Sequence, residues 1–162
     1  METLDGLGFE DITKGDVETL TEIMKRAFDE DARRHLSVES GGPPGYDNGS
    51  FIRKWYFHDE VRAFKVTKDG VVIGGVAVFI HENGENYLGN MFIDPLCQDQ
   101  GLGTIVWRYI ENKYSRTKIW RTDTPGFSKR NHYFYVNKCG FKIIRIENPG
   151  DNDESFIMEK VM

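Results

Sequence analysis

The chain has 162 residues, 39% of them apolar and 13% aromatic, which suits one globular domain with its own core and excludes a disordered chain. Lysine and arginine number 21 against 26 aspartates and glutamates, a net charge of −5. That sign argues against nucleic acid or an anionic membrane surface as a partner, since both call for a basic field.

No segment approaches the ~18 consecutive apolar residues of a membrane span, and the opening METLDGLGFED carries no basic n-region. The expectation is a cytoplasmic protein with no membrane partner. Cys97 and Cys139 form neither a CxxC pair nor a metal spacing with the four histidines, so both are expected as small reduced thiols and no metal is expected.

In chain order, Leu7–Thr13 reads as a short strand. DVETLTEIMKRAFDED follows as a helix, with Val17, Leu20, Ile23, Met24, Ala27 and Phe28 at helical spacing and Asp16 as N-cap. HLSVESGGPPGYDNGS breaks that pattern and predicts a loop, with or without a helical turn. SFIRKWYFHDE suits a second short helix capped by Ser50. VRAFKVT and VVIGGVAVFI make a hairpin about Asp69-Gly70, and a further turn at Asn83-Gly84 leads into YLGNMFIDP, giving three adjacent antiparallel strands. The unbroken run Val71–Ile80 predicts a central strand buried on both faces.

Leu102, Ile105, Val106, Tyr109 and Ile110 mark one face of a helix that ends near Tyr114. KIWRTDT is a strand, parallel to the one before it because a helix separates them. SKRNHYFYVNKCG is a helix stopped by Gly140, and FKIIRIE and SFIMEKVM are strands around NPGDND. The order β-α-α-β-β-β-α-β-α-β-β describes a single α/β (α+β) domain over residues 1–162.

The stretch QDQGLG, Gln98–Gly103, joins a strand end to a helix start. There the first-turn amides lack helical partners, the dipole is positive, and glycine lets a ligand approach the backbone, a combination suited to phosphate. A tight strand-to-helix turn accounts for the same glycines. Two nucleotide motifs are excluded. A Walker loop needs Lys and Ser/Thr after its second glycine, where Thr104 and Ile105 stand, and a dinucleotide fingerprint needs a third glycine where Val106 stands.

MFIDPLCQDQGLGTIVWRYIE, with Ile93, Pro95, Gln98, Gly101 and Gly103 in place, resembles the central acetyl-CoA motif of the GNAT N-acetyltransferase superfamily. That motif is a hydrophobic strand, often a proline, then [RQ]-x-x-G-x-[GA] opening a helix. NHYFYVNKCGF resembles the later helix of the same family, and the order of elements resembles its fold throughout. The resemblance implies a GNAT fold, with a mixed, mostly antiparallel central sheet of about six to seven strands and helices on both faces. It also implies an acetyl-CoA-dependent N-acetyltransferase acting by direct attack in a ternary complex. The CoA pyrophosphate would lie on backbone amides of Gln98, Asp99, Gln100, Gly101, Leu102, Gly103 and Thr104. The pantetheine arm would pair with Met91, Phe92 and Ile93, where the sheet opens, usually at a bulge. An amide left free there could hold the thioester oxygen.

Asn131 and Tyr135 stand four apart on one helix face, and Tyr133 lies about 200° round from Asn131, turned away. By the resemblance, Asn131 and Tyr135 face the cofactor, and the phenol (pKa ~10) protonates the departing thiolate, whose thiol resembles a cysteine near ~8.5. The family's common spacing puts this tyrosine four residues before the glycine, at Val136. Tyr135 comes one residue early, so the role requires an irregular helix or a shifted loop; an aromatic packed in the core or around CoA is the alternative.

The family often takes its general base from the fourth strand. NYLGNMFI holds no acid, which leaves Glu85 just before it, against the alternatives of a solvated hairpin side chain or a water relay. The acceptor is expected to be an amine on a small molecule or a peptide, chosen by residues between about Asp29 and Glu60. Trp55, Tyr56 and Phe57 could wall that pocket, as against simple packing on the sheet, and Asp29, Glu30 and Asp31 could hold a cation, as against a solvated helix end. Neither cysteine suits a covalent relay. A homodimer stays open, and so does a non-catalytic acyl-CoA-binding module of the same fold.

Overall fold

The computed structural model describes residues 1–98 and 100–162. Strands β1 (Glu2–Leu4) and β2 (Leu7–Asp11) form a hairpin whose two turn residues, Asp5 and Gly6, take φ of 48° and 87°, as a two-residue primed turn requires. Helix α1 (Val17–Leu36) runs past Asp31 and stops where Ser37 turns left-handed. Ile52–Tyr56 is wound as a π-helical turn. Strands β3 (Val61–Lys68) and β4 (Val71–Phe79) form a hairpin about Asp69-Gly70, and β5 (Glu85–Ile93) follows. Helix α2 (Leu102–Lys113), β6 (Ile119–Pro125) and α3 (Lys129–Tyr133) come next. A second π-helical turn, Phe134–Lys138, extends α3 and leads to β7 (Lys142–Glu147) and β8 (Ser155–Val161).

One eight-stranded sheet results, in the order β1-β2-β3-β4-β5-β6-β8-β7. The strand beyond the expected order is β1. Its signal was the Asp5-Gly6 pair, too close to the start of the chain to be read as a turn between strands. The second helix is a π-wound turn, and Ser50 lies inside its helical run while the Asn48 side chain accepts the Ser50 amide.

Core side chains divide by face. Val76, Val78, Leu88, Val106, Ile110, Trp120 and Met158 fill the α2/α3 side, and Leu20, Ile23, Met24, Ile52, Ala77 and Phe92 fill the α1 side. Strand β4 supplies both and is buried from Ile73 to Val78, as its apolar run requires.

Two irregularities position the site. The β4–β5 register steps from Ala77↔Asn90 to Val78↔Leu88, so Gly89 is an extra, bulged residue on β5. The parallel β5–β6 ladder joins only Glu85–Tyr87 to Ile119–Arg121, whereas β6 stays paired with β8 as far as Pro125↔Ser155. Beyond Tyr87 the two strands therefore diverge, and the sheet opens as a wedge. Among the described residues, no helix is long and apolar enough to cross a membrane.

Candidate active site

A cleft of about 330 Å³ enters the wedge. Met91, Phe92, Ile93, Gln98, Gly101, Leu102, Gly103, Thr104, Asn131 and Tyr135 all line it. Gln100 is exposed nearby, its side chain accepting from Lys68 Nζ at 3.0 Å, and Asp99 lies outside the described residues.

The loop into the cleft is anchored at Asp94, the N-cap of the 3-10 turn Pro95–Cys97. Its carboxylate accepts the Leu96 amide at 3.1 Å and Arg26 Nη2 at 2.7 Å. Burial alone would raise this carboxyl; the Arg26 guanidinium and the Leu96 amide outweigh it and hold the group below the ordinary aspartate range. The loop then turns at Gly101, whose φ of 71° is left-handed. A Cβ there would meet nothing within 4 Å, so the dihedral, not space, calls for glycine. Gly103 differs: a Cβ would stand 3.1 Å from the Phe134 ring, so its bareness lets the α3 extension close on helix α2. Ile105 donates the first helical bond, to the Gly101 carbonyl at 3.4 Å, so the amides before it are first-turn donors facing the cleft mouth. Gln98 Oε1 accepts from Arg130 Nη1 at 2.9 Å, tying the loop to α3.

The second π-helical turn accounts for the position of Tyr135. Cys139 donates to the Phe134 carbonyl at 3.1 Å and Phe141 to the Tyr135 carbonyl at 2.9 Å, wider closures than an α-helix makes. One extra residue is thereby absorbed between Tyr135 and Gly140, and the tyrosine that comes early in the sequence faces the wedge in space. It is 7% exposed; burial raises its phenol above the ordinary range, with Cys139 and Asp123 adding to the shift. Its hydroxyl makes no hydrogen bond among the described residues. From the opposite face Tyr56 reaches the same opening and donates to Asn90 Oδ1, next to the Gly89 bulge.

A bare strand edge beside convergent helix amides is what an extended chain with a diphosphate at its end would need, so the residues present fit CoA. The chain matches the pattern of the acetyltransferase (GNAT) family over residues 18–141. It belongs to that family. It is 41% identical over 86 residues to the uncharacterized protein YrkN of Bacillus subtilis (strain 168), covering 52% of this chain and 46% of that protein, so the match spans about half the length of the relative. An acetyltransferase from Thermus thermophilus superposes with a TM-score of 0.76 over 96% of this chain and 97% of that one, at 14% identity. The PaiA N-acetyltransferase of Thermoplasma acidophilum, solved with coenzyme A, superposes with a TM-score of 0.70 over 96% and 99%, at 18% identity. At these identities the likeness is one of fold.

Other residues of this GNAT protein fall into place differently from their sequence signals. Glu85 is not brought to the cleft: it opens β5 at the closed end of the wedge, and its carboxylate meets Arg121 at 2.9 Å. Just beyond the last β5–β6 pair, β6 carries Asp123, a carboxylate outside the cleft lining but near enough to Tyr135 to add to its shift; the sequence reading missed it. Thr122 and Thr124 are buried toward α2 and α3, so by strand alternation Asp123 points to the α1 face. Solvent reaches it, yet protein surrounds it closely enough that desolvation raises its carboxyl, with Glu147 adding to the rise; Ser155 Oγ donates to it at 3.3 Å. The only available signal was a charge inside a strand, TDT, which ordinarily marks a solvated face.

Tyr133, expected to turn away, lines the cleft rim and is 58% exposed, with Lys138 Nζ 5.8 Å from its ring centre. Of the aromatic trio, Tyr56 reaches the opening, while Trp55 packs on Phe79 and Phe57 is exposed. Of the acids of α1, Glu30 and Asp31 line the cleft and Asp29 does not, and each has partners within the fold. Asp29 accepts from Tyr46 and Lys25, both at 2.6 Å, and Asp31 from Ser128 at 3.0 Å, while Glu30 pairs with Arg33 and Arg34. Cys139 is buried, its thiol pushed up to about 12, which is wrong for a nucleophile.

Proposed function

We propose that this GNAT protein moves an acetyl group from acetyl-CoA to a primary amine, by direct attack while both substrates are bound. The observation that carries this reading is the hydroxyl of the largely buried Tyr135, which opens on the cleft beside the open edge of β5 and lacks a partner among the described residues.

The pyrophosphate would rest on the amides that precede Ile105, with the arm along Met91–Ile93. The acceptor would enter from the α1 face, past Tyr56 and Asp123. An alkylamine near ~10.4 arrives protonated, and an ordinary carboxylate near ~3.9 is far too weak to take that proton; desolvation of Asp123 narrows the gap and holds the ammonium meanwhile. Asp123 relays that proton to solvent. The nitrogen lone pair then forms the C–N bond, the C–S bond breaks, and Tyr135 gives its proton to the leaving sulfur. The second proton, shed by the acylated nitrogen, returns to the Tyr135 oxygen. A backbone amide near the Gly89 bulge would stabilise the charge gathering on the thioester oxygen. Glu85, engaged by Arg121, would tune the floor of the acceptor side without touching the reacting atoms.

The test is release of free CoA thiol across a panel of amines, with Tyr135→Phe as the control. The variant is expected to lose ~10²- to 10⁴-fold in kcat at unchanged CoA affinity. Undiminished turnover by the variant would sink the assignment. CoA binding without turnover on any amine would point instead to an acyl-CoA-binding module.

A further inference from the structure

Taking the acetyl transfer above as given, we propose that Asp31 is a positioning residue for it. Its carboxylate clasps α1 to the start of α3 across the open end of the wedge, and so fixes where Asn131 and Tyr135 stand against β5. The need for a clasp follows from the fold. Helix α1 shares a core with Ala77 and Phe92 on one face of the sheet, and Tyr135 shares a separate core with Val106 and Phe141 on the other. The sheet between them is parted here, since β5 and β6 pair only as far as Tyr87↔Arg121 while β6 runs on to Pro125. Helix α3 buries none of its own side chains. Apolar packing therefore does not set the distance from α1 to the start of α3, and polar contact has to.

That contact is made at Asp31. Ser128, the residue before α3, is fully buried and donates its hydroxyl to Asp31 Oδ2 at 3.0 Å. A serine in this N-cap place ordinarily accepts an amide of its own helix. Ser128 makes no such bond among the described residues, so its hydroxyl serves α1 instead. A hydroxyl given to a carboxylate makes a charge-assisted bond, stronger than a neutral one. His35, one turn further along α1, meets the same carboxylate from the other side, its Nε2 3.4 Å from Oδ1. The Ser128 carbonyl in turn accepts the His132 amide at 3.1 Å, so the first turn of α3 is built on the clasped residue. Asn131 and Tyr135 follow within about two turns, and both line the cleft. A shift of Ser128 is passed to both. Asp31 thus acts through Ser128 rather than on the reacting atoms.

Hydrogen exchange and kinetics of Asp31→Ala, Ser128→Ala and the double variant test the proposal. In the free chain, amide exchange over residues 129–138 should quicken about tenfold in each single variant and no further in the double, because either change opens the same bond. With an amine found on the panel, each single variant should lose about 10- to 10²-fold in kcat while the Kd for CoA stays within about twofold. Asp31→Asn, whose amide oxygen can still accept from Ser128, should recover most of that loss. Exchange as slow as in the parent would overturn the proposal, and so would losses that add in the double variant. A fall in kcat as large in Asp31→Asn as in Asp31→Ala would overturn it too. A parent chain that fails to bind CoA would remove the acetyl-transfer reading and this role with it; the exchange result tells that failure from failure of the clasp.

Discussion

The two π-helical turns, Ile52–Tyr56 and Phe134–Lys138, lie on opposite faces of the sheet, and each sends a tyrosine to the wedge between β5 and β6. Tyr56 and Tyr135 are 4% and 7% exposed, and burial raises both phenols. They differ in what the hydroxyl meets. Tyr56 donates to Asn90 and so fixes the strand at its bulge, while the Tyr135 hydroxyl lines the cleft without a partner among the described residues. A proton already donated to the protein is not available to a substrate; one on a hydroxyl that opens on the cleft with no protein acceptor is. Winding of the same kind thus serves a positioning group on one side and an acid on the other.

The comparison breaks first at Tyr135. Tyr135→Phe should lower kcat ~10²- to 10⁴-fold, whereas Tyr56→Phe should lower it less than about tenfold. Similar losses from both, measured with one amine, would dissolve the distinction. Asp123→Asn comes next, with a loss of about 10²-fold. Because Asp123 titrates above its ordinary value, it reprotonates sooner as pH falls, so the acid limb of kcat/KM should lie above the ~3.9 of free aspartate and vanish in the variant. Tyr135, raised by burial, should contribute no alkaline limb below about pH 10.

Smaller effects concern stability. Tyr56→Phe removes the bond to Asn90, worth about 1 kcal/mol net, and should lower Tm by about 2–4 °C. Asp94→Ala removes the cap of the cleft loop at a comparable cost, about 1 kcal/mol. The folded Asp94 carboxyl titrates below its unfolded value, so its contribution is present above ~3.9 and lost as pH falls through the folded pKa. The Tm gap between parent and variant should therefore close on the acid side of about pH 4.

The sheet was legible because its strands carry period-two or unbroken apolar runs punctuated by Asp69-Gly70, Gly84 and Gly140, all at positive φ in the structure. The glycine loop was legible for the same local reason: Gly101 needs its dihedral, and Gly103 needs to be bare. What stayed hidden depends on distant parts of the chain. A π-helical turn is set by how a helix end docks, so the sequence showed only that Tyr135 came one residue early. Asp123 acquires its character from β6 parting from β5, and nothing in TDT records that divergence. The acids of α1, conspicuous in sequence, are held by Tyr46, Lys25, Ser128 and neighbouring arginines.

The most direct measurement is a calorimetric titration of acetyl-CoA into the chain and into Gly103→Val, with ATP and NAD as controls. The account predicts saturable micromolar binding selective for CoA. It also predicts weaker binding in the variant, whose side chain would push Phe134 from the helix start. Absence of binding, or preference for ATP, would contradict it and leave QDQGLG as a strand-to-helix turn or a different nucleotide site.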